Sequence, residues 1–425
     1  MSIHTIPRPG ARRRCRLLSR RCLASLGATL LLAGCGTPPP QEATVVSDSA
    51  GITIVENDEA GGAWTLDSAW RLARTPAVQI GNVPLDQTQQ LYRVRHSIRL
   101  KNGSIAVANT GLGDVRVYEA GGLYLRTLTM PPDEKGDPMR PVRLHELPGD
   151  SLLVVLMDRS VAVYDSLGSM ARRSGPLAAD VASDPSPTVA GIFGDGTILV
   201  KVFPPEDTTP GEIERTHVRL LTYGTDAAPL GALGDFADLT VLRGDGIYVF
   251  GAEGVEAVGD STLWYGPGDR FELREVAMDG STRRIVRLNR LAGEVTSVDR
   301  TAYQHSAMGE LEDTLDEAAA QAVVAKFRYA ERFPSYAQVV VDDGGNLWVK
   351  GYQWFGLGQP QKWTVFDRDG RFLGDLTMPT LMEVHQIGED FVLGRMAEQR
   401  GKEAIFYYPL IKPAAPAGGG PGGNP

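Results

Sequence analysis

The feature that most restricts the fold of this chain is a phrase that recurs along it. Each copy has a turn containing Gly, Asp or Asn, a short apolar strand, a variable loop, a strand ending in an aromatic residue, a second turn and a last strand. The clearest copy runs Lys101-Asn102-Gly103-Ser104-Ile105-Ala106-Val107-Ala108, then Val115-Arg116-Val117-Tyr118, then Gly121-Gly122-Leu123-Tyr124-Leu125. Others begin at Pro148-Gly149-Asp150, at Gly194-Asp195-Gly196, near Gly246-Ile247-Tyr248-Val249-Phe250, at Asp342-Asp343-Gly344 and at Gly388-Glu389-Asp390. A sheet of about four short strands cannot bury both its faces, so it must stack on copies of itself. Radial stacking predicts an all-β, six-bladed β-propeller over residues 51-412. The alternative is a pair of β-sandwiches with similar turns, an architecture that does not require evenly repeated four-strand phrases. The sixth phrase stops one strand short, and Ile52-Thr53-Ile54-Val55 is expected to complete it. The propeller would then be closed by the N-terminal strand, with no bare edge left to aggregate.

The fifth phrase carries the most specific wording, Asp342-x-x-Gly345-x-Leu347-Trp348-Val349 followed by Val365-Phe366-Asp367-x-x-Gly370-x-Phe372-Leu373. It resembles NHL-type repeats and the six-bladed propeller lipoproteins of bacteria. The match is close in this phrase, good from Asn102 to Leu128 and loose elsewhere. Such motifs specify turns and packing, so the resemblance implies a fold and leaves the activity open.

One segment departs from the repeat. From Leu311 to Phe333, residues Leu311, Leu315, Ala318, Ala319, Ala322, Val323, Ala325 and Phe327 form an apolar stripe at helical spacing, with Glu312, Asp313, Asp316, Glu317, Lys326 and Arg328 opposite. The expectation is one helical insertion, 306-333, started by a capping box at Thr314 and Glu317 and laid across a propeller face. It would act as a lid or partner contact, or simply cover exposed blade ends.

The start of the chain is an address. Arg8, Arg12, Arg13, Arg14, Arg16, Arg20 and Arg21 precede an apolar stretch from Leu23 to Ala33 that is too short to span a bilayer. Leu32-Ala33-Gly34-Cys35 then resembles the lipobox of bacterial lipoproteins. That resemblance implies a signal peptide over 1-34, lipidation of Cys35 as the first mature residue and, from Gly36, retention at the outer membrane. Two or more acyl chains anchor stably, where one binds only marginally. Ser19-Arg20-Arg21-Cys22-Leu23 also looks like a twin-arginine export motif, so Sec and twin-arginine export both stay open. Residues 35-50 are expected to be a flexible tether and 413-425, rich in Pro and Gly, a disordered tail.

Loss of 1-34 would remove Cys15 and Cys22, leaving no partner for an internal disulfide, so stability must come from packing. The same cut takes seven arginines and no acid, moving the net charge from −9 to −16. A surface this acidic repels phosphate backbones and argues against nucleic acid as a partner.

Catalytic motifs are missing: no His-Glu-x-x-His, no Gly-x-Ser-x-Gly, no phosphate loop and no EF-hand spacing occur. His96, His145 and His385 each fall shortly before a repeat turn, on the strand that lines a propeller's channel. Three imidazoles converging there would bind a divalent metal, the one cofactor candidate, and polarise a substrate oxygen, as in the propeller lyases that NHL-type folds resemble. Their registers disagree, however, at eight, six and five residues before Ser104, Ser151 and Asp390. Three unrelated polar residues on inner strands or loops is the competing reading. Asp195, Asp245, Asp343 and Asp369 are either calcium ligands or turn caps, and turn capping is the simpler role. Tyr352, Trp354 and Phe355 form the candidate recognition loop, unless they pack over the blade edge.

The expected function is an envelope-anchored module that binds or scaffolds a protein, peptide or glycan, working as a monomer attached to the membrane through its lipid. The rival readings are a metal-dependent extracytoplasmic lyase or lactone hydrolase, and an assembly factor for outer-membrane proteins.

Overall fold

A computed structural model describes residues 43–183, 185–205, 210–354, 359–397 and 402–413. Cys35 and Phe355 lie outside the described residues.

Six antiparallel sheets form in the order of the sequence phrases. Blade 1 holds Val94–Arg99, Ile105–Asn109, Asp114–Tyr118 and Tyr124–Thr129, and blade 2 holds Pro141–Leu147, Ser151–Leu156, Val161–Tyr164 and Met170–Ser174. Blade 3 begins with Thr188–Ile192 and Ile198–Val202 and ends in a long hairpin, Ile213–Tyr223 with Pro229–Leu242. Blade 4 spans Val255–Val258 to Thr282–Asn289, blade 5 spans Gln338–Val341 to Phe372–Met378, and blade 6 spans Glu383–Ile387 to Glu403–Ile411.

What makes these sheets a ring is the pattern of burial, because each apolar core is shared between neighbours. Ala108, Val117, Leu144 and Val154 join blades 1 and 2. Leu153, Val155, Ile198 and Val200 join blades 2 and 3, and Leu199, Leu220, Leu263 and Val276 join 3 and 4. Trp264, Leu273, Leu347 and Phe366 join 4 and 5, while Trp348, Trp363, Val392 and Tyr408 join 5 and 6. Ile105, Tyr118, Phe391 and Leu393 then join blade 6 back to blade 1. Six shared cores closing on themselves define a six-bladed propeller and exclude a sandwich, whose two sheets share one core.

Turn chemistry explains the fifth phrase residue by residue. The Asp342 carboxylate accepts from the backbone N–H groups of Gly344 and Asn346 at 3.0 and 2.8 Å and from Trp348 Nε1 at 2.9 Å. One side chain thus closes the turn and pins the buried indole. Asp367 repeats the device on Asp369 and Arg371 at 2.9 and 2.8 Å, as does Asp195 on Thr197 at 2.8 Å. The capping residues are therefore Asp342 and Asp367 rather than Asp343 and Asp369, and Asp245 pairs with Lys326 at 3.2 Å instead of capping.

Three expectations are corrected. The chain before blade 1 does close the ring, but not through Ile52-Thr53-Ile54-Val55. Val78–Ile80 pairs with the last strand of blade 6, Ile80 opposite Ile405, and Arg71–Leu72 pairs further along the same edge. Ile52–Asp58 instead lies parallel to Thr282–Asn289 on the outside of blade 4, and Thr44–Ser49 folds back on it. Asn57 is the physical reason. Buried in this position, its Nδ2 donates to the carbonyls of Arg287 and Gly370, both at 3.0 Å, and its Oδ1 accepts from Phe372 N–H at 2.9 Å. This one amide locks the segment between blades 4 and 5. Gly370 is required there, because its φ of +85° suits glycine and a Cβ would meet Val286 at 2.4 Å.

The fourth phrase also starts later than Gly246, since Ile247–Val249 leaves the propeller and pairs in parallel with Phe327–Tyr329. The helical insertion, finally, is two helices, α1 at Ser297–Glu312 and α2 at Glu317–Val324. A capping box at Thr296 and Asp299 starts α1, while Asp316, not Thr314, caps α2. The stripe beginning at Leu311 therefore straddles a break.

Candidate functional site

Alternating strand direction puts the blade-to-blade connections and the loops between second and third strands on one side of the disc. The α1–α2 insertion connects blades 4 and 5, Ile247–Val249 lies between blades 3 and 4, and Tyr352 and Trp354 follow the second strand of blade 5. All of them share that side, and they have their own core. Phe250 packs against Tyr303 at 5.1 Å, Phe333 at 4.9 Å and Trp354 at 5.0 Å between ring centroids, and Tyr352 stacks on Phe333 at 5.9 Å. Val249, Val295, Phe327 and Ala330 are buried in the same cluster. Tyr352 and Trp354 thus lie half-buried in the floor of a helical cap. Part of their aromatic surface packs against Phe250, Tyr303 and Phe333. Phe250 holds a φ of 62°, an uncommon conformation for a bulky side chain, and its surrounding rings hold it there.

The three histidines do lie on the first, channel-side strands of blades 1, 2 and 6. His96 and His385 come together, with ring centroids 5.6 Å apart. His96 Nδ1 accepts from Leu144 N–H at 3.3 Å, and His385 Nδ1 shares a hydrogen bond of 2.8 Å with Ser97 Oγ. Both bonds are made at Nδ1, and Nε2 of His385 and of His145 has no hydrogen-bond partner. Among the described residues no group of three or more His, Cys, Asp or Glu side chains is placed to hold a metal ion. The three-histidine metal site does not fit this geometry, for the reason the unequal registers suggested: equivalent ligands need equivalent positions.

Burial governs the protonation of these histidines. Burial holds His96 well below its ordinary value of 6.5, with the Arg143 charge and the neighbouring imidazoles adding to the effect. Burial also lowers His145, and it lowers His385 despite the opposing pull of Glu383. Further round the ring, Lys201 makes ion pairs with Asp238 at 3.2 Å and Glu256 at 2.9 Å across blades 3 and 4. Burial disfavours the Lys201 charge, but the two carboxylates outweigh it and raise the ammonium's pKa. Arg143, Lys201 and Glu256 are charged groups here that sequence reading did not single out. The available signal was an arginine inside the alternation Val142-Arg143-Leu144-His145, on a strand whose neighbours are apolar.

The fold and the channel together define a six-bladed β-propeller with a helical cap on one side and a neutral-to-cationic histidine and arginine cluster near its axis. No family model and no curated protein matches this sequence. Among solved structures, a Bacteroides fragilis protein named as exported is similar at 9% identity, covering 84% of this chain and 99% of its own, with a TM-score of 0.47. Virginiamycin B lyase from Staphylococcus aureus is similar at 8% identity over 81% and 100% of the two chains, TM-score 0.39. The calcium-binding protein regucalcin from Agrobacterium tumefaciens aligns at 11% identity over 79% and 95%, TM-score 0.38. Likeness at this level concerns architecture alone.

Proposed function

We propose that this protein is a lipid-anchored propeller of the bacterial cell envelope that recognises a protein, peptide or glycan with its capped side. The observation that carries this reading is the cap itself. Helices α1 and α2 and the strand pair beside them form an ordered body with an aromatic core separate from the six cores of the ring. Structure added to one side of a rigid scaffold is where binding function concentrates. Leu291 and Val298, 82% and 74% exposed, project from this body.

The path of the chain near Ala43 is compatible with the same side. The described chain starts at Ala43, whose carbonyl accepts from Asp58 N–H at 3.0 Å, and Arg290 at the root of the cap pairs with Glu59 at 2.7 Å. Eight residues separate Cys35 from Thr44, a reach of at most about 30 Å when extended. A lipid on Cys35 would therefore keep the root of the cap near the membrane, facing partners in or beside it.

The test combines labelled palmitate with site-specific photocrosslinking in cells. The reading predicts label on the wild-type chain, none on Cys35→Ala, and discrete adducts from a crosslinker at Val298 but not at Leu167, an exposed hairpin position on blade 2. Label persisting on Cys35→Ala would overturn the anchor. Equal adducts from Val298 and Leu167 would overturn the capped side as the recognition surface.

A further inference from the structure

The innermost strands of blades 1, 2, 3 and 6 meet around the Arg143 guanidinium. Its Nη1 donates to the Ala190 carbonyl at 3.0 Å, and among the described residues no carboxylate lies within 4 Å of it. Glu256, the acid that acts on it electrostatically, is itself engaged by Lys201 at 2.9 Å. A cation withdrawn from water without a paired anion is costly, and structures keep such groups where a ligand supplies the charge.

The groups around Arg143 add donors, and the nearby carboxylates of Glu256 and Glu383 are each paired with another cation. His96 accepts at Nδ1 from Leu144 N–H, so as a neutral ring it carries its proton on Nε2. The His385 side chain is only 3% exposed, and its Nε2 has no hydrogen-bond partner, as is true of His145 Nε2. Glu383 stands 3.7 Å from His385 Nε2, but its carboxylate is also paired with Arg395. Buried polar atoms without partners are rare enough to call for a ligand or an ordered water. A divalent cation would be repelled by the guanidinium, whereas an oxyanion would be attracted by it and could accept from the imidazole N–H groups.

We propose that the channel binds a small oxyanion, a carboxylate or phosphate group, with Arg143 as its charge partner and His96 and His385 as flanking donors. A guanidinium is the fitting charge partner, since it can present two parallel N–H groups to two oxygens. The site is separate from the cap and does not depend on the anchor.

The test is isothermal titration of the full-length chain in detergent with inorganic phosphate and, separately, acetate, at constant ionic strength and pH. Saturable one-to-one binding of at least one of them is expected, weakened at least tenfold by Arg143→Gln and unchanged by Arg219→Gln, an exposed arginine on blade 3. Phosphate binding alone would assign a phosphorylated ligand, and acetate binding alone a carboxylate. Arg143→Lys, which keeps the charge, and His385→Gln are read beside Arg143→Gln in case the last does not fold. Partial retention in Arg143→Lys, with loss in His385→Gln, supports the site. Binding of neither anion, or equal binding by wild type and Arg143→Gln, would overturn it. So would stoichiometric Zn2+ binding abolished by His96→Gln.

Discussion

At the scale of single residues, stability rests on a few polar side chains that satisfy several partners at once. Asn57 is one, and Asn57→Ala leaves the Gly370 carbonyl and the Phe372 N–H without partners between blades 4 and 5. The expected cost is about 2–3 kcal/mol, measured as a shift in urea midpoint with unchanged slope. Glu272 is another. Burial raises its pKa, but hydrogen bonds from Arg270, Arg287 and Arg274 outweigh that and hold it at about 2, against an ordinary 4.5. Its contribution is complete above pH 4.5 and is lost as pH falls from there toward 2. The buried histidines act earlier. With folded values below 6.5, they leave the unfolded chain binding more protons once pH drops under 6.5, so stability declines from that point. Urea midpoints should therefore fall between pH 6.5 and 5 in the wild type and fall less in His385→Gln; superimposable curves would contradict the assignment. Asn57 and Glu272, unlike the histidines, did not stand out in the sequence, because an Asn in a strand-like run and a Glu among arginines show their value only when partners from distant segments arrive.

At the scale of elements, legibility followed length and period. The turns that Asp342 and Asp367 close were readable because cap, Gly and apolar strand lie within eight residues of one another. The closing strand was not. Val78–Ile80 has three residues, shorter than any period-2 pattern can mark, and the longer Ile52–Asp58 drew the assignment to itself. Ile80 is fully buried between blades 6 and 1, so Ile80→Ala should cost about 2–5 kcal/mol and loosen that seam first, read by hydrogen exchange at Glu403–Ile411. The cap was legible as helical content but not as two helices, since its stripe ran through the break at Asp313. Phe250→Ala removes the ring that touches Tyr303, Phe333 and Trp354, and should raise exchange across α1 and α2 while the blades stay protected. Exchange rising equally in the blades would show that cap and ring do not behave as separate cooperative units.

At the scale of the whole molecule, six cores of similar make-up share the load, and no single one is the centre of the fold. Such a ring resists opening only while its last seam is paired, which is why three residues ahead of blade 1 matter more than their number suggests. The channel chemistry depends on the same closure, because His96 and His385 belong to the first and last blades and meet only across that seam. The sequence pattern announced the histidines and their strands but not their neighbour Arg143. Its importance is a property of the assembled axis.

Cysteine pairing reads the seam directly in a background with Cys15→Ser, Cys22→Ser and Cys35→Ser, which holds no other cysteine. Gln79 faces Phe406, and Ile54 faces Ile285. Neighbouring strands bring paired Cα atoms within the range a disulfide spans. Oxidation of Gln79→Cys with Phe406→Cys, and of Ile54→Cys with Ile285→Cys, should each give a bridge that peptide mapping detects in the native protein. A bridge between Ile54→Cys and Phe406→Cys, with none between positions 79 and 406, would contradict the ring described here.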